Sequence, residues 1–386
     1  MDGMAAAGPL ARLRVALAHD SFTQWGGAER VVAVLHAVFP QAPIYTIAVN
    51  PRVLPAALAG TEFRTSFLQG WPGMPDLHAF KRYLPFLPGA ASSLRPRGFD
   101  LVLSSSSAFA HGLQAPDACH VAYIHNTMRF AWDFDGYVGA MGWPAPVRSA
   151  GRTAAGCLRE WDRRAGARPA LLVANSTVVA GRIRRRWGRE AAVLPPPVDA
   201  RGIALGRGPR SHFCVLSRLV PYKRVDLAIA AATMAGERLV VVGDGPDLPR
   251  LRRMAGPGVT FLGAVDDHTR DDVLAGALAL LVPGVEDFGI APLEANAAGT
   301  PVIATAAGGV LDSQVPGVTG LLLRDPTPEA FADAMRRVRS IPWDRAALRR
   351  HALGFGPEAF RDGLLRLLEG FLAAGASEAA AAADRV

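Results

Sequence analysis

Glu286 and Glu294 stand eight positions apart in "GVEDFGIAPLEANAAGTPVIA", residues 284–304, with Gly289, Ile290, Ala291 and Pro292 between them. The apolar run 277–283 that precedes them reads as a strand, and Leu293–Ala298 reads as a helix. Pro292 fits the first helical position, where its missing amide costs nothing. One carboxylate then lies in a loop and the other in a first helical turn. The amides of Gly289, Ile290 and Ala291 fall between them at the helix's positive end. Carboxylates accept hydrogen bonds from sugar or ribose hydroxyls, and helix-start amides suit phosphate oxygens. Such a stretch could hold both ends of a nucleotide-sugar. The plainer alternative is two acids that favour a helix dipole.

Other strand ends carry comparable chemistry. In "SRLVPYKRVD" (217–226), Arg218 and Lys223 sit five apart in a loop that enters a helix, and a guanidinium with an ammonium suits a diphosphate. Two solvated surface bases would look the same. The turn Gly243-Asp244-Gly245 follows three valines and is placed to receive a nucleoside, or to be a tight turn capped by Asp244. Gly26-Gly27, before a helix with Glu29 in its first turn, could bring backbone amides close to an anion. His125 ends a strand in "CHVAYIH" and faces whatever binds there. Asp133 and Asp135 have a metal-like spacing without a third ligand, and "DDHTRDD" (266–272) reads as helix-capping acids, so no metal is expected.

These groups need a scaffold that gathers strand ends. In residues 1–200 near-continuous apolar runs at 13–19, 43–48, 99–105, 119–125, 171–175 and 191–197 read as strands buried on both faces, alternating with helices such as 28–39 and 145–167. The Pro- and Gly-rich stretch 195–212 reads as a linker. The rhythm restarts at 213–217, 239–243, 259–263, 277–283, 301–305 and 320–324. The expectation is an α/β protein of two doubly wound domains facing a cleft, at 1–200 and 201–356. A last helix at 357–372 precedes an Ala-rich tail at 373–386.

The 386 residues exceed one ordinary core, and no 18-residue uncharged apolar run suggests a membrane span. The N-terminus does not read as a secretory signal, and three scattered cysteines read as reduced thiols, so a cytoplasmic location is expected. Residues 1–200 hold 21 Lys and Arg against 13 Asp and Glu, while the remainder balances 21 against 21. The whole net charge of +8 therefore lies in the first half and points to an anionic partner. Within it, residues 66–97 interleave Trp71, Met74, Phe80, Tyr83 and Phe86 with Lys81, Arg82, Arg95 and Arg97, and "GRIRRRWGR" (181–189) adds a basic helix end. That mixture suits an anionic membrane surface or a lipid-linked acceptor, although aromatics can also be core. No nucleic-acid recognition module is visible.

Taken in order, Gly26-Gly27-Ala28-Glu29, His125, Ser217-Arg218-Leu219 with Lys223, Gly243-Asp244-Gly245-Pro246 and Glu286 to Glu294 resemble the retaining glycosyltransferases of family 4. The resemblance runs from about Arg14 to Leu372, and "HDSFTQWGGAERVV" and "HNTMRFAWDF" are similar to bacterial O-antigen and exopolysaccharide mannosyltransferases. It implies the GT-B fold, with the last helix crossing back onto the first domain. It further implies a nucleotide-sugar donor, GDP-mannose before a UDP-sugar, a saccharide acceptor, and neither cofactor nor metal.

By that resemblance Arg218 and Lys223 neutralise the diphosphate, Glu294 holds the ribose and Glu286 meets the sugar. Gly27, beside Gly26, presents an amide to phosphate, and His125 approaches the reacting carbon. Phe261, Leu262 and Phe288 join Gly243, Asp244, Gly245, Gly289, Ile290 and Ala291 around the donor. His111 falls where relatives often carry a base. A nucleotide-sugar epimerase on a similar fold would need further acid–base groups, and none stand out in the sequence.

Overall fold

The computed structural model describes residues 3–138, 144–206 and 208–383, without the side chains of residues 81, 137, 138 and 375–383. The chain divides into two units, one formed by Met1–Pro197 with Glu358–Val386 and the other by Val198–Pro357.

In the first unit, seven strands lie in one parallel sheet. They are β1 (Val15–His19), β2 (Ile44–Thr46), β3 (Phe63–Thr65), β4 (Leu101–Ser106), β5 (Cys119–Ile124), β6 (Leu171–Ala174) and β7 (Ala192–Val193). Their order is β3-β2-β1-β4-β5-β6-β7. The inner strands are buried nearly along their length, as their largely apolar runs suggest, with the serines Ser104–Ser106 buried at the end of β4. β3 was not anticipated, because Arg64 and Thr65 leave it no apolar signal; it is an edge strand exposed on two of three residues.

The second unit repeats the plan with β8 (His212–Leu216), β9 (Leu239–Val242), β10 (Val259–Gly263), β11 (Ala277–Val282), β12 (Val302–Thr305) and β13 (Gly320–Leu323), ordered β10-β9-β8-β11-β12-β13. In both sheets the order reverses direction beside the first strand, between β1 and β4 and between β8 and β11. In a doubly wound sheet the loops leaving those two strands diverge and open a crevice.

Helices cover the sheets where their apolar stripes demand it. Pro328–Ser340 starts on Thr327, whose side chain accepts from the Ala330 amide at 3.2 Å, and buries Phe331, Met335 and Val338. The last helix, Pro357–Ala383, sends Phe360, Leu364 and Leu368 into the first unit's core, with the Phe360 ring edge-on to Tyr123 at 5.5 Å. It runs past residue 372 because alanine is the best helix former. The expected linker is only partly one. Val198, Ala200 and Ile203 are buried in the second unit, and the Val198 amide donates to Phe355 at 2.8 Å.

Candidate active site

In the second unit, two loops meet backbone to backbone at the strand ends. Leu219 donates to the Asp244 carbonyl at 2.9 Å, and the Asp247 amide returns to Leu219 at 3.1 Å. Gly243 sits at φ +128°, and a Cβ there would lie 1.9 Å from the Ser217 carbonyl oxygen, so only glycine fits. Asp244 accepts from the Gly245 amide at 2.7 Å, the capped turn that the sequence offered as an alternative. The chain then makes a short 3-10 turn, Pro221–Lys223, before the helix Val225–Ala235.

Between the ends of β8 and β11, a narrow crevice is lined by Ser217, Lys223, Gly284, Glu286 and Pro292. Lys223 Nζ and Glu286 Oε2 form an ion pair there, their side chains 14% and 19% exposed. Arg218 is exposed, and its guanidinium makes no ion pair among the described residues. The bend after Glu286 leads into the helix Ala291–Ala297, with Pro292 in its first turn, so the amides of Ile290 and Ala291 head the helix.

Glu294 is nearly buried in that first turn and lies 3.4 Å from Arg270 Nη1. Arg270 also pairs with Asp267 and Asp271, both at 2.7 Å. Burial works against the Arg270 charge, but Glu294 and then Asp271 outweigh it and hold the guanidinium pKa above its ordinary value. The capping reading of this segment holds for Asp266, which accepts from the Thr269 amide at 2.8 Å. The reading missed Arg270, whose only sequence signal was a base among acids.

The three apolar residues expected around the donor differ in exposure. The Phe288 side chain is 2% exposed and packs with Val198 and Leu293, so only its backbone is left for a ligand. Phe261 is half-buried on the outer strand β10 beneath Arg252, 6.0 Å from the ring centre. Leu262, next to it, is 41% exposed.

In the first unit, the ends of β1, β4 and β5 carry a connected polar cluster. His19 Nδ1 donates to the Ser105 carbonyl at 3.0 Å, and its Nε2 faces Glu29 at 3.8 Å. Ser105 Oγ is hydrogen-bonded to His125 Nε2 at 2.8 Å, and the His125 ring stands edge-on to Tyr123. Glu29, in the first turn of the helix Gly27–Val38 capped by Gly26, thus connects through His19 and Ser105 to His125. Burial opposes a charge on His19, but Glu29 foremost, then Asp20 and the Ser105 carbonyl, raises its pKa. Beside it, the Asp20 carboxylate accepts four backbone amides, Ser107 to Ala110, at 2.6–3.0 Å. These amides belong to "SSSSAFAHG", residues 104–112, whose sequence carries no sign of that role.

His111, at the position where relatives often carry a base, is buried and held from several sides. Its ring is 1% exposed and stacks on Trp187 at 4.9 Å. Ser106 Oγ donates to Asp20 and so accepts from His111 Nδ1, at 2.9 Å, while Nε2 faces Asp162 at 3.3 Å. Asp162 is itself held by the indole N–H groups of Trp132 and Trp187, at 2.7 and 2.8 Å.

The pattern of the family described as "Glycosyltransferase Family 4" matches residues 25–201, and that described as "Glycosyl transferases group 1" matches residues 205–353. This chain belongs to glycosyltransferase family 4. A GDP-mannose-dependent alpha-(1-6)-phosphatidylinositol monomannoside mannosyltransferase of Mycobacterium tuberculosis is 35% identical to this family 4 chain over 203 residues, covering 44% of it and 52% of the relative. A glycogen synthase of Pseudomonas paraeruginosa is 34% identical over 174 residues, 42% of this chain and 33% of that enzyme. The chain therefore spans about a third to a half of the length of these curated relatives. The crystal structure of Anabaena Alr3699/HepE in complex with UDP-glucose superposes with a TM-score of 0.66 at 17% identity, covering 93% of this chain and all of that one. The fold is GT-B, two Rossmann-like α/β units.

The basic, aromatic segment of this family 4 chain is part core and part surface. Met74 and Phe80 pack against the first unit's second core cluster. Trp71 gathers Phe67, Tyr83 and Phe86 at 5.0–5.9 Å, with Phe67 51% and Phe86 49% exposed. Arg82 lies over the Tyr83 ring at 5.5 Å, and Arg95 and Arg97 are exposed. The Lys81 side chain lies outside the described residues. The second basic run is largely spent internally. Arg182 donates to Asn126 at 3.1 Å, Arg186 to Thr127, and Arg189 to the carbonyls of Gly166 and Ala170, which leaves Arg184 and Arg185 outward.

Proposed function

We propose that the chain is a retaining glycosyltransferase that moves a hexose, mannose from GDP-mannose, onto a lipid-linked or growing saccharide. The observation that carries this reading is the meeting of Lys223, Glu286 and the helix Ala291–Ala297 at the crevice between β8 and β11, with Glu294 held by Arg270 one turn on. Breaking a sugar–phosphate bond leaves charge on the diphosphate and an oxocarbenium-like sugar. Arg218, Lys223 and the helix-start amides take the first charge, and fixed donors of this kind each contribute about 2.7–4 kcal/mol to such a step. Glu294 is assigned the ribose and Glu286 the sugar hydroxyls. From the first unit, Gly27 is assigned a phosphate contact and His125 the neighbourhood of the reacting carbon, with Ser105 holding its ring.

Retention through a covalent intermediate would call for a carboxylate nucleophile. No acid is assigned that work, and departure and attack on one face of the sugar, with a phosphate oxygen taking the acceptor's proton, is the step we favour. The mannose reading is supported by the relative named for GDP-mannose. A UDP-sugar is the second reading, favoured by the likeness to a fold that holds UDP-glucose. Incubating the chain with GDP-mannose, UDP-glucose and UDP-galactose and following nucleotide release and sugar transfer decides between them. Release of GDP or UDP with transfer is expected, isomerised donor would indicate an epimerase, and no turnover with any donor would overturn the assignment.

A membrane-facing role belongs to the same reading. The exposed rings around Trp71 with Arg82, Arg95 and Arg97 suit the anionic inner face of a plasma membrane that presents a lipid-linked acceptor. Among the described residues, no helix is long and apolar enough to cross a membrane.

A further inference from the structure

Lys223 and Glu286 are assigned to different parts of one donor, the diphosphate and the sugar, yet their side chains are paired with each other. The pairing is built into the backbone. The Lys223 amide donates to the Val220 carbonyl at 3.0 Å, and the next residue, Arg224, is held in the left-handed region at φ 51°. Gly284 leaves no room for a side chain, since its Cβ would lie 2.5 Å from Lys223 Cα, so the two loops touch main chain to main chain. On the other side, the Glu286 carbonyl accepts from the Gly309 amide at 3.0 Å. Both partners are largely shielded from water, which makes the contact stronger than an exposed ion pair and makes leaving one partner alone costly. Arg218 is outside this arrangement and exposed.

We propose that the Lys223–Glu286 pair makes the site discriminate between an intact nucleotide-sugar and the nucleoside diphosphate left after transfer. An intact donor satisfies both members at once, its hydroxyls taking Glu286 while its diphosphate takes Lys223. A nucleoside diphosphate offers Glu286 nothing and must win Lys223 from a carboxylate whose ion-pair partner among the described residues is Lys223. The pair re-forms once the sugar has gone, weakens the hold on the product and favours its release. Arg218 carries most of the affinity for the product, and Lys223 contributes only when the sugar is present. This inference rests on the donor-site reading above.

Calorimetric titration of the full chain with GDP, UDP, GDP-mannose and UDP-glucose tests it, using the unmodified protein, Glu286→Gln, Lys223→Met and the double variant. Glu286→Gln should tighten binding of the matching nucleoside diphosphate by about tenfold and weaken that of its sugar conjugate. Lys223→Met should weaken the sugar conjugate more than the nucleoside diphosphate, and Glu286→Gln should give no gain in its presence. If Glu286→Gln leaves nucleoside diphosphate affinity unchanged, the inference fails while the donor site stands. An equal gain in the Lys223→Met background would show plain repulsion between carboxylate and phosphate, and also overturns it. If the unmodified chain binds none of the four compounds, the donor-site reading falls and the inference with it. Glu286→Ser serves the same comparison should the glutamine variant not fold.

Discussion

Removing the Glu286 carboxylate takes away the proposed sugar contact and frees Lys223, while the loop around it stays held by main-chain contacts. Glu286→Ala should therefore lower the transfer rate by roughly 10²–10³-fold, and should also lower the melting temperature, because a largely shielded Lys223 loses its partner. Unaltered turnover would exclude a catalytic contact. Two buried histidines set opposite limits on pH. The His120 pKa is pushed down to about 3, first by burial and then by His111 and Arg168. The unfolded chain binds that proton more readily, so its contribution to stability is present above the ordinary 6.5 and is lost as pH falls towards 3.

The pKa of His19 is raised above 6.5, so its contribution is full below that value and is lost as pH rises through the folded pKa. Melting temperature against pH should fall on both sides. Glu29→Gln should flatten the alkaline limb, and His120→Gln the acid limb. Of the residues involved, Glu286, Glu294, Lys223 and His125 could be singled out in the sequence because a distinctive type lies in or just after the loop that leaves a strand. Arg270 and Asp20 could not, since what matters for them is a partner 24 or 87 positions away in the chain.

At the scale of elements, apolar runs marked twelve of the thirteen strands among the described residues, the central ones because a parallel strand buried on both faces has no alternative pattern, while β7 and β10 are only half-buried. β3 escaped because an edge strand needs little apolar character, and the burial of His111 cannot be read from its neighbours in sequence. Caps are legible and testable. The Ser176 side chain accepts from the Val179 amide at the start of the helix Thr177–Trp187, and Ser176→Ala should cost about 1 kcal/mol in denaturant unfolding. Gly243→Ala should do more harm, because a Cβ would overlap the Ser217 carbonyl. We expect it to reduce nucleotide affinity as well as stability, since the loop it displaces leads to Arg218 and Lys223. A variant with unchanged nucleotide affinity would detach that turn from the donor site.

Across the whole molecule, the net charge of +8 belongs to residues 1–200, yet part of it is committed to internal bonds through Arg182, Arg186 and Arg189. Arg82, which lies over the Tyr83 ring of the Trp71 cluster, faces outward, as do Arg95 and Arg97 farther along the same segment. Replacing these three by Gln should weaken binding to phosphatidylserine vesicles, each contributing about 1 kcal/mol near an anionic surface, and high salt should erase the difference. Binding that persists undiminished would move the contact elsewhere on the protein.

The helix Pro357–Ala383 fills a core begun some 340 residues earlier, where Phe360, Leu364 and Leu368 sit with Val15, Leu17 and Tyr123. The amino-terminal half therefore cannot complete its core until residues 357–372 have been synthesised. A fragment stopped at Pro197 should emerge with an open wound in its interior and precipitate, whereas Val198–Pro357 keeps all its own strands. Supplying residues 357–383 as a separate peptide should rescue the short fragment's solubility, and a peptide carrying Leu364→Asp should not.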